Sequence, residues 1–183
     1  LRVDLIALMV LVALVVTGQV TAQEAISGFS NPAVVTVWAV FILSGGLSRA
    51  GVAHVVGRWL LRVGGKRETL LTLVISIAAA VLSAFMNNVG VAAMFLPVVM
   101  DICRRTGIPP ARLLMPLAFS TLLGGLLTLI GTPPNLLVGS ALVTAGLRPF
   151  RLFDFTPVGL PVMLTGILFL ATAGRLLLPA RRL

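Results

Sequence analysis

Two segments of the chain place uncharged polar side chains next to helix-breaking residues. The first is Ser83 followed by Asn87 and Asn88, and the second is Thr128 followed by the run 131–135, Gly-Thr-Pro-Pro-Asn. A backbone that leaves helical form in hydrocarbon frees N–H and C=O groups, which are tolerated only inside protein or beside water. Freed carbonyls and amide oxygens can replace the water around Na⁺, while helix amino ends direct partial positive charge at an anion. These segments therefore predict a joint site for a cation and an anion.

The ionisable residues argue against enzymatic chemistry and against a proton pump built on a buried carboxylate. The chain has no paired carboxylates and no cluster with metal-ligand spacing, and its one cysteine, Cys103, excludes an internal disulfide. We expect neither an enzyme nor a cofactor beyond a coupling ion. The acids all lie at the ends of apolar runs or in connectors: Asp4, Glu24, Glu68, Asp101 and Asp154.

The composition indicates an all-α polytopic membrane protein. Of the 183 residues, 58% are hydrophobic and 10% are charged, against about 25% charged in a typical soluble domain. The mean hydropathy is +1.12. A soluble domain of this size could not bury so much apolar surface, and a disordered chain needs the opposite composition.

The net charge of +9 follows from 14 lysines and arginines against 5 acids. Most of the basic residues lie in short connectors between apolar runs, which is typical of cytoplasmic loops. We therefore expect a multi-pass protein of the inner (plasma) membrane and no nucleic-acid partner. The apolar runs predict transmembrane helices over 5–22, 32–48 and 155–178, and the basic stretch predicts an amphipathic interfacial helix over 51–63.

The two polar segments fall within interrupted apolar tracts. The tract 68–104 predicts a re-entrant hairpin with its tip near 84–90, because basic residues flank both ends and the second arm is short for a full crossing. Two full crossings are the alternative. The tract 110–146 predicts a discontinuous helix broken at 131–135, because its prolines interrupt the hydrogen-bond ladder.

Three stretches resemble the divalent-anion/sodium symporter family, in the superfamily of citrate, sulfate and arsenite carriers. They are 87–94 (Asn-Asn-Val-Gly-Val-Ala-Ala-Met) with the following Leu96-Pro97, the proline loop 129–135, and the segment 153–159. The resemblance extends over nearly the whole chain. It implies two inverted repeats, each with a re-entrant hairpin and a broken helix, in a homodimer that moves its site across the membrane in an elevator-like motion. This chain would supply most of the first repeat, and the second repeat would be its partner.

The resemblance also assigns roles to individual residues. Asn88 matches an asparagine that serves both cation and substrate, and Ser83 matches a further cation-site position. Asn87 stands where the family has serine, and Val89 stands where it has threonine. The expected cation ligands are thus Ser83, Asn87, Asn88 and Gly131, and the expected substrate ligands are Asn88, Val89, Thr132, Pro133 and Asn135.

We therefore expect secondary active transport of a small anion, coupled to a cation that we expect to be Na⁺. Sulfate and a di- or tricarboxylate are both candidates, because Val89 lacks the hydroxyl expected to contact a carboxylate. An arsenite permease or a sodium/proton antiporter of the same superfamily is the alternative within transport. A non-transporting membrane scaffold subunit is the alternative from another class.

Overall fold

The computed structural model describes residues 2–51 and 67–174, and every regular element among these residues is helical. The expected all-α class is confirmed over this part, whereas the interfacial helix predicted over 51–63 lies outside it except for Gly51. A 3₁₀ turn, Gly28–Ser30, precedes the helix that begins at Pro32, and a π-helical turn, Leu170–Gly174, extends the helix that ends at Phe169. The α-helices are α1 (Val3–Val16), α2 (Ala22–Ser27), α3 (Pro32–Arg49), α4 (Glu68–Ser83), α5 (Asn88–Thr106), α6 (Ala111–Gly125), α7 (Pro133–Thr144) and α8 (Thr156–Phe169).

Among the described helices, Thr156–Gly174 is long and apolar enough to cross a bilayer by itself, with 19 residues. The pair Ala22–Ser30 and Pro32–Leu43, bent by 43°, meets the same criterion when taken together. α1, α4 and α6 are apolar but shorter, and at 1.5 Å per residue each is about 20–25 Å long. By length alone, each of these helices is shorter than a hydrocarbon layer of about 30 Å.

α4 and α5 form a hairpin around a shared apolar core. The chain reverses direction in the four residues 84–87, and Met86 fills the inside of the turn with a nearly fully buried side chain. Apolar residues recur every three or four positions on both arms, as expected for helices that bury one face. The buried members on the two arms are Leu71, Ile75, Ala79, Val91, Met94, Phe95, Val99, Ile102 and Cys103.

α4 and α6 lie parallel and keep one register along their length. A methyl group on Gly124 would lie 2.2 Å from the carbonyl oxygen of Ala80, so only glycine allows the two backbones to approach this closely. The register brings the hairpin tip level with the end of α6. Three contacting pairs define it, each 44 residues apart: Glu68–Arg112, Ala80–Gly124 and Ala84–Thr128.

The second polar segment is unwound between α6 and α7. The non-helical residues are 126–132, somewhat earlier than the interruption at 131–135 that the sequence pattern predicts. The reason is that Pro133 and Pro134 take the first helical positions of α7. Proline is well tolerated there, since those positions have no intrahelical partner for an N–H group.

α8 and the loop before it support the unwound residues. The hydroxyl of Thr156 donates to the carbonyl of Leu127 at 2.7 Å, and the N–H of Leu129 donates to the carbonyl of Leu152 at 2.9 Å. Gly159 packs directly on this segment, because a methyl group there would lie 2.4 Å from the carbonyl oxygen of Leu126. α8 therefore fixes the position of the break against the end of α6.

Candidate functional site

Ser83 is fully buried at the carboxyl end of α4, between the hairpin tip and α6. Its Oγ lies 2.6 Å from Asn88 Oδ1 and 2.7 Å from the carbonyl oxygen of Thr121. A serine hydroxyl has one proton and can donate to only one of these oxygens at a time. Two acceptor oxygens therefore compete for one hydroxyl proton. Oxygen atoms of this kind are the ligands that hard cations prefer.

The two asparagines have different local tasks at the start of α5. Asn87 is the N-cap residue: its Oδ1 accepts the N–H of Val89 at 2.9 Å, and its carbonyl accepts the N–H of Val91 at 3.0 Å. Asparagine is among the best residues for this position, which explains why the helix begins here. Asn88 instead directs its side chain back toward Ser83.

The amino end of α5 is open. Val89 is 74% exposed, and a side chain on Gly90 would begin in open space. The N–H groups of Asn88 and Gly90 show no hydrogen bond within the described part of the chain. First-turn N–H groups have no intrahelical partner, and the helix dipole adds partial positive charge, so this end is suited to an anion.

The unwound residues are held through their backbone carbonyls. The side-chain Nδ2 of Asn135 donates to the carbonyls of Gly125 at 3.3 Å and Thr128 at 2.9 Å. The hydroxyl of Thr128 donates to the carbonyl of Ala84 in the hairpin tip. These bonds satisfy carbonyls that are released where the helix stops, and they tie the break to the tip.

The start of α7 offers fewer donors than the start of α5. Pro133 and Pro134 have no N–H, and the N–H of Asn135 donates to the carbonyl of Thr132 at 3.2 Å. Thr132 is extended, and its hydroxyl makes no cap bond to the helix. At this end the hydroxyl of Thr132 is therefore a better ligand for an anion than the helix backbone.

The two segments meet at Gly125, the last residue of α6. A methyl group on Gly125 would lie 2.5 Å from Thr132 Cγ2 and 2.8 Å from Asn88 Oδ1. A methyl group on Gly131 would lie 2.6 Å from the carbonyl oxygen of Gly125. The structure thus brings Asn88 of the tip together with Gly131 and Thr132 of the break in one contact group.

Two of the expected site residues lie at the edge of this group, and two residues of the group were not predicted from the sequence. Val89 and Pro133 are exposed beside it rather than enclosed by it. Thr121 and Gly125 were not among the residues expected from the sequence. Thr121 contributes its backbone carbonyl, and Gly125 contributes the absence of a side chain, so residue type indicates neither role. The pair Gly124-Gly125 at the end of an apolar run was the one available signal.

The electrostatics of the contact group come from dipoles. Among the described residues no charged side chain belongs to it, and no three histidine, cysteine or acidic side chains come together as a metal site. The ion pair of Glu68 and Arg112, with 3.1 Å between Oε2 and Nη1, lies at the other end of α4. That end is about 22 Å away at 1.5 Å per residue. Amide, hydroxyl and helix-end dipoles therefore set the local potential.

Comparison with known proteins places the chain among transporters. It matches the citrate transporter family over residues 1–182. It is 45% identical over 169 residues to the uncharacterised transporter YfbS of Escherichia coli K12, which covers 92% of this chain and 28% of that protein. It is 39% identical over 182 residues to an uncharacterised transporter of Synechocystis, covering 100% of this chain and 30% of that protein.

A further relative has a more specific name. Sodium/sulfate cotransporter 1 of Chlamydomonas reinhardtii is 32% identical over 174 residues, which cover 87% of this chain and 19% of that protein. The chain thus spans less than a third of the length of each of these three relatives.

Proposed function

Because this chain belongs to the citrate transporter family, we propose that it supplies a cation site and part of an anion site to a cation-coupled anion transporter. The observation that carries the proposal is the contact of Asn88 and Thr132 across Gly125. Ion ligands from the hairpin tip and from the helix break are neighbours in one group without charged side chains. A bound cation beside a bound anion keeps such a group neutral, which favours binding the two ions together.

The cation is proposed to lie at Ser83. Ser83 Oγ lies within hydrogen-bond distance of Asn88 Oδ1 and of the carbonyl oxygen of Thr121. A bound cation would be coordinated by these oxygens in place of the hydrogen bonds that the Ser83 hydroxyl makes to them. The backbone of Gly131 packs against Gly125, and Gly125 packs against the Asn88 side chain. Gly131 is therefore a further candidate ligand. Asn87 is proposed to act mainly by capping α5, with its amide as an additional ligand. Na⁺ is the proposed ion, supported by the relatives named sodium/sulfate cotransporters.

The anion is proposed to lie at the open amino end of α5. The N–H groups of Asn88 and Gly90 face it, and the hydroxyl of Thr132 adds a donor from the break. The amide of Asn135 is engaged with the loop carbonyls, so we propose that it orients Thr132 rather than contacting substrate directly. Pro133, which is exposed beside this group, is proposed to border the anion site.

The proposed substrate is sulfate. Val89, at the mouth of this site, is 74% exposed, and its side chain has no hydrogen-bond donor. A dicarboxylate would require donors for its second carboxylate, whereas a compact oxyanion is satisfied by one helix end and one hydroxyl. Carboxylates, represented by succinate, are the competing substrates that the test must include.

The remaining expectations concern the assembly. We propose that the chain is part of a multi-pass protein of the inner membrane, embedded in lipid and completed by a second inverted repeat. We further propose a homodimer in which the hairpin, the broken helix and α8 move as one body. Support for this body comes from its internal ties: the Glu68–Arg112 ion pair at the base and the bond from Thr128 to the hairpin tip.

Uptake by the full-length protein tests the function. Radiolabelled sulfate and succinate are supplied to proteoliposomes with and without an inward Na⁺ gradient, for the wild type, Ser83→Ala and Ser76→Ala. Ser76 is the matched control, because it is fully buried on the same helix and its hydroxyl makes no hydrogen bond in the described part. We expect Na⁺-dependent sulfate uptake that Ser83→Ala weakens and Ser76→Ala leaves intact. Uptake independent of Na⁺, or equal effects of both variants, contradicts the proposal.

Thiol labelling separates transport from a scaffold role. Asn87→Cys and Thr132→Cys are expected to react with water-soluble thiol reagents that reach an aqueous cavity, and bound sulfate with Na⁺ is expected to slow the reaction. Ile75→Cys, fully buried in the hairpin core, is expected to stay inert. If Asn87→Cys and Thr132→Cys remain as unreactive as Ile75→Cys while cysteines introduced in loops react, a scaffold is the better description.

A further inference from the structure

Gly125 has an unusual set of neighbours. A methyl group on this residue would lie 2.5 Å from the methyl group of Thr132, 2.8 Å from Asn88 Oδ1 and 3.1 Å from Asn88 Nδ2. Its own carbonyl accepts the side chain of Asn135, and Gly131 packs against the same peptide. A ligand proposed for the cation, Asn88, and a ligand proposed for the anion, Thr132, thus both pack against Gly125, which has no side chain.

We infer that Gly125 is a positioning residue that couples the occupancy of the cation site to the affinity of the anion site. The inference rests on the proposed function and adds a role for a residue that contacts neither ion. Asn88 Oδ1 contacts Ser83 on one side, and the Asn88 amide contacts Gly125 on the other. A cation at Ser83 fixes that amide, and the fixed amide sets how closely Thr132 can approach the amino end of α5.

The absence of a side chain is what makes the contact tight enough to transmit a change. Close-packed atoms respond to displacements of a few tenths of an ångström, whereas atoms separated by a gap do not. Gly125 is the last residue of a helix whose preceding turn is fixed by the backbone contact of Gly124 with Ala80. Gly125 therefore stays in place when the Asn88 side chain is displaced, and the displacement is transmitted to Thr132.

The methyl group of Thr132 provides a test by exchange of volume. Gly125→Ala adds a methyl group where the methyl group of Thr132 already lies, so it pushes Thr132 and Asn88 apart. Thr132→Ser removes that methyl group and keeps the hydroxyl, so it leaves a gap. In the double variant the new alanine methyl fills the space that the threonine methyl vacated, while the contact with Asn88 Oδ1 stays too close.

The experiment measures two constants in the full-length protein reconstituted in liposomes. They are the KM for sulfate at low and at saturating Na⁺, and the Na⁺ concentration that gives half-maximal uptake. For Gly125→Ala we expect both the KM at saturating Na⁺ and the half-activating Na⁺ concentration to rise about tenfold. Gly45→Ala is the control, because this α3 glycine, unlike Gly125, faces open space, and its variant is expected to match the wild type. The amount of folded protein is followed by size-exclusion chromatography.

The other two variants make the prediction specific. Thr132→Ser alone is expected to bring the KM values at low and high Na⁺ close together, because the gap breaks the coupling. Gly125→Ala with Thr132→Ser is expected to recover the KM for sulfate but not the half-activating Na⁺ concentration. If Gly125→Ala does not fold, Thr132→Ser still tests the inference, since it removes atoms and adds none.

The outcomes distinguish this inference from the proposed function. A wild type without Na⁺-dependent sulfate uptake overturns the proposed function itself. A wild type with such uptake, in which Gly125→Ala lowers only the amount of folded protein or Thr132→Ser keeps the full Na⁺ dependence of the KM, overturns the role of Gly125 alone.

Discussion

Replacing Gly124 by alanine tests the packing on which the site depends. The added methyl group would lie 2.2 Å from the carbonyl oxygen of Ala80 and 2.5 Å from its Cα. Ordinary contact begins at about 3.4 Å, so α4 and α6 must separate by about 1 Å. Overpacking of this kind costs about 1–3 kcal/mol, and a backbone neighbour cannot rotate away, which favours the upper end. Alanine returns up to about 1 kcal/mol as a better helix former, so the expected net loss is about 2 kcal/mol.

The measurement is unfolding of the purified full-length protein in detergent, followed by circular dichroism. Gly45→Ala is the matched control, because it has the same chemistry in a helix with open space at the substituted position. We expect this control to be unchanged or more stable by about 0.5–1 kcal/mol. The reasoning is refuted if Gly124→Ala is as stable as the wild type, or if the control is destabilised equally.

Three further changes address the base, the tip and the mouth of the site. Thr128→Val removes a buried hydroxyl donor while keeping its shape, and we expect the free energy of unfolding to fall by about 1–3 kcal/mol; no measurable loss would mean that the tip and the break are not tied there. A double-mutant cycle with Glu68→Gln and Arg112→Gln is expected to give a coupling energy near 1 kcal/mol that shrinks in high salt, because the pair is only partly buried; additive single effects would contradict the ion pair. Val89→Thr is expected to make succinate compete better against sulfate uptake, roughly tenfold, by adding a hydroxyl at the mouth, and an unchanged competition curve would place Val89 outside the substrate site.

The class of the fold could be predicted from composition, because 58% hydrophobic residues in unbroken runs have few other solutions. The turn of the hairpin was also visible, since Asn87 is a strong helix cap and lies between two apolar runs. The bounds of the broken helix were less predictable. Pro133 and Pro134 look like helix breakers in a sequence, but in the structure they begin α7, and the backbone leaves the helix earlier, after the glycine pair.

The partners within the site could not be predicted from the sequence, because they are set by the register between two helices. Ser83 contacts the carbonyl of Thr121, which lies 38 residues further along the chain, because α4 and α6 pack side by side, and no local sequence pattern gives that pairing. The role of Gly125 could not be predicted for a related reason. Its contribution is the space that it leaves for Asn88 and Thr132, and such a role has no side chain to recognise.

The common register of α4 and α6 ties the lengths of two separate parts of the chain to each other. One residue inserted into α4 above its base would rotate everything beyond it by about 100° and lift it by about 1.5 Å. Ser83 would then turn away from Thr121, and Ala80 would no longer face Gly124. A second insertion at the matching turn of α6 would realign the pair. Insertions and deletions in these two helices should therefore be accepted in homologous proteins only as compensated pairs.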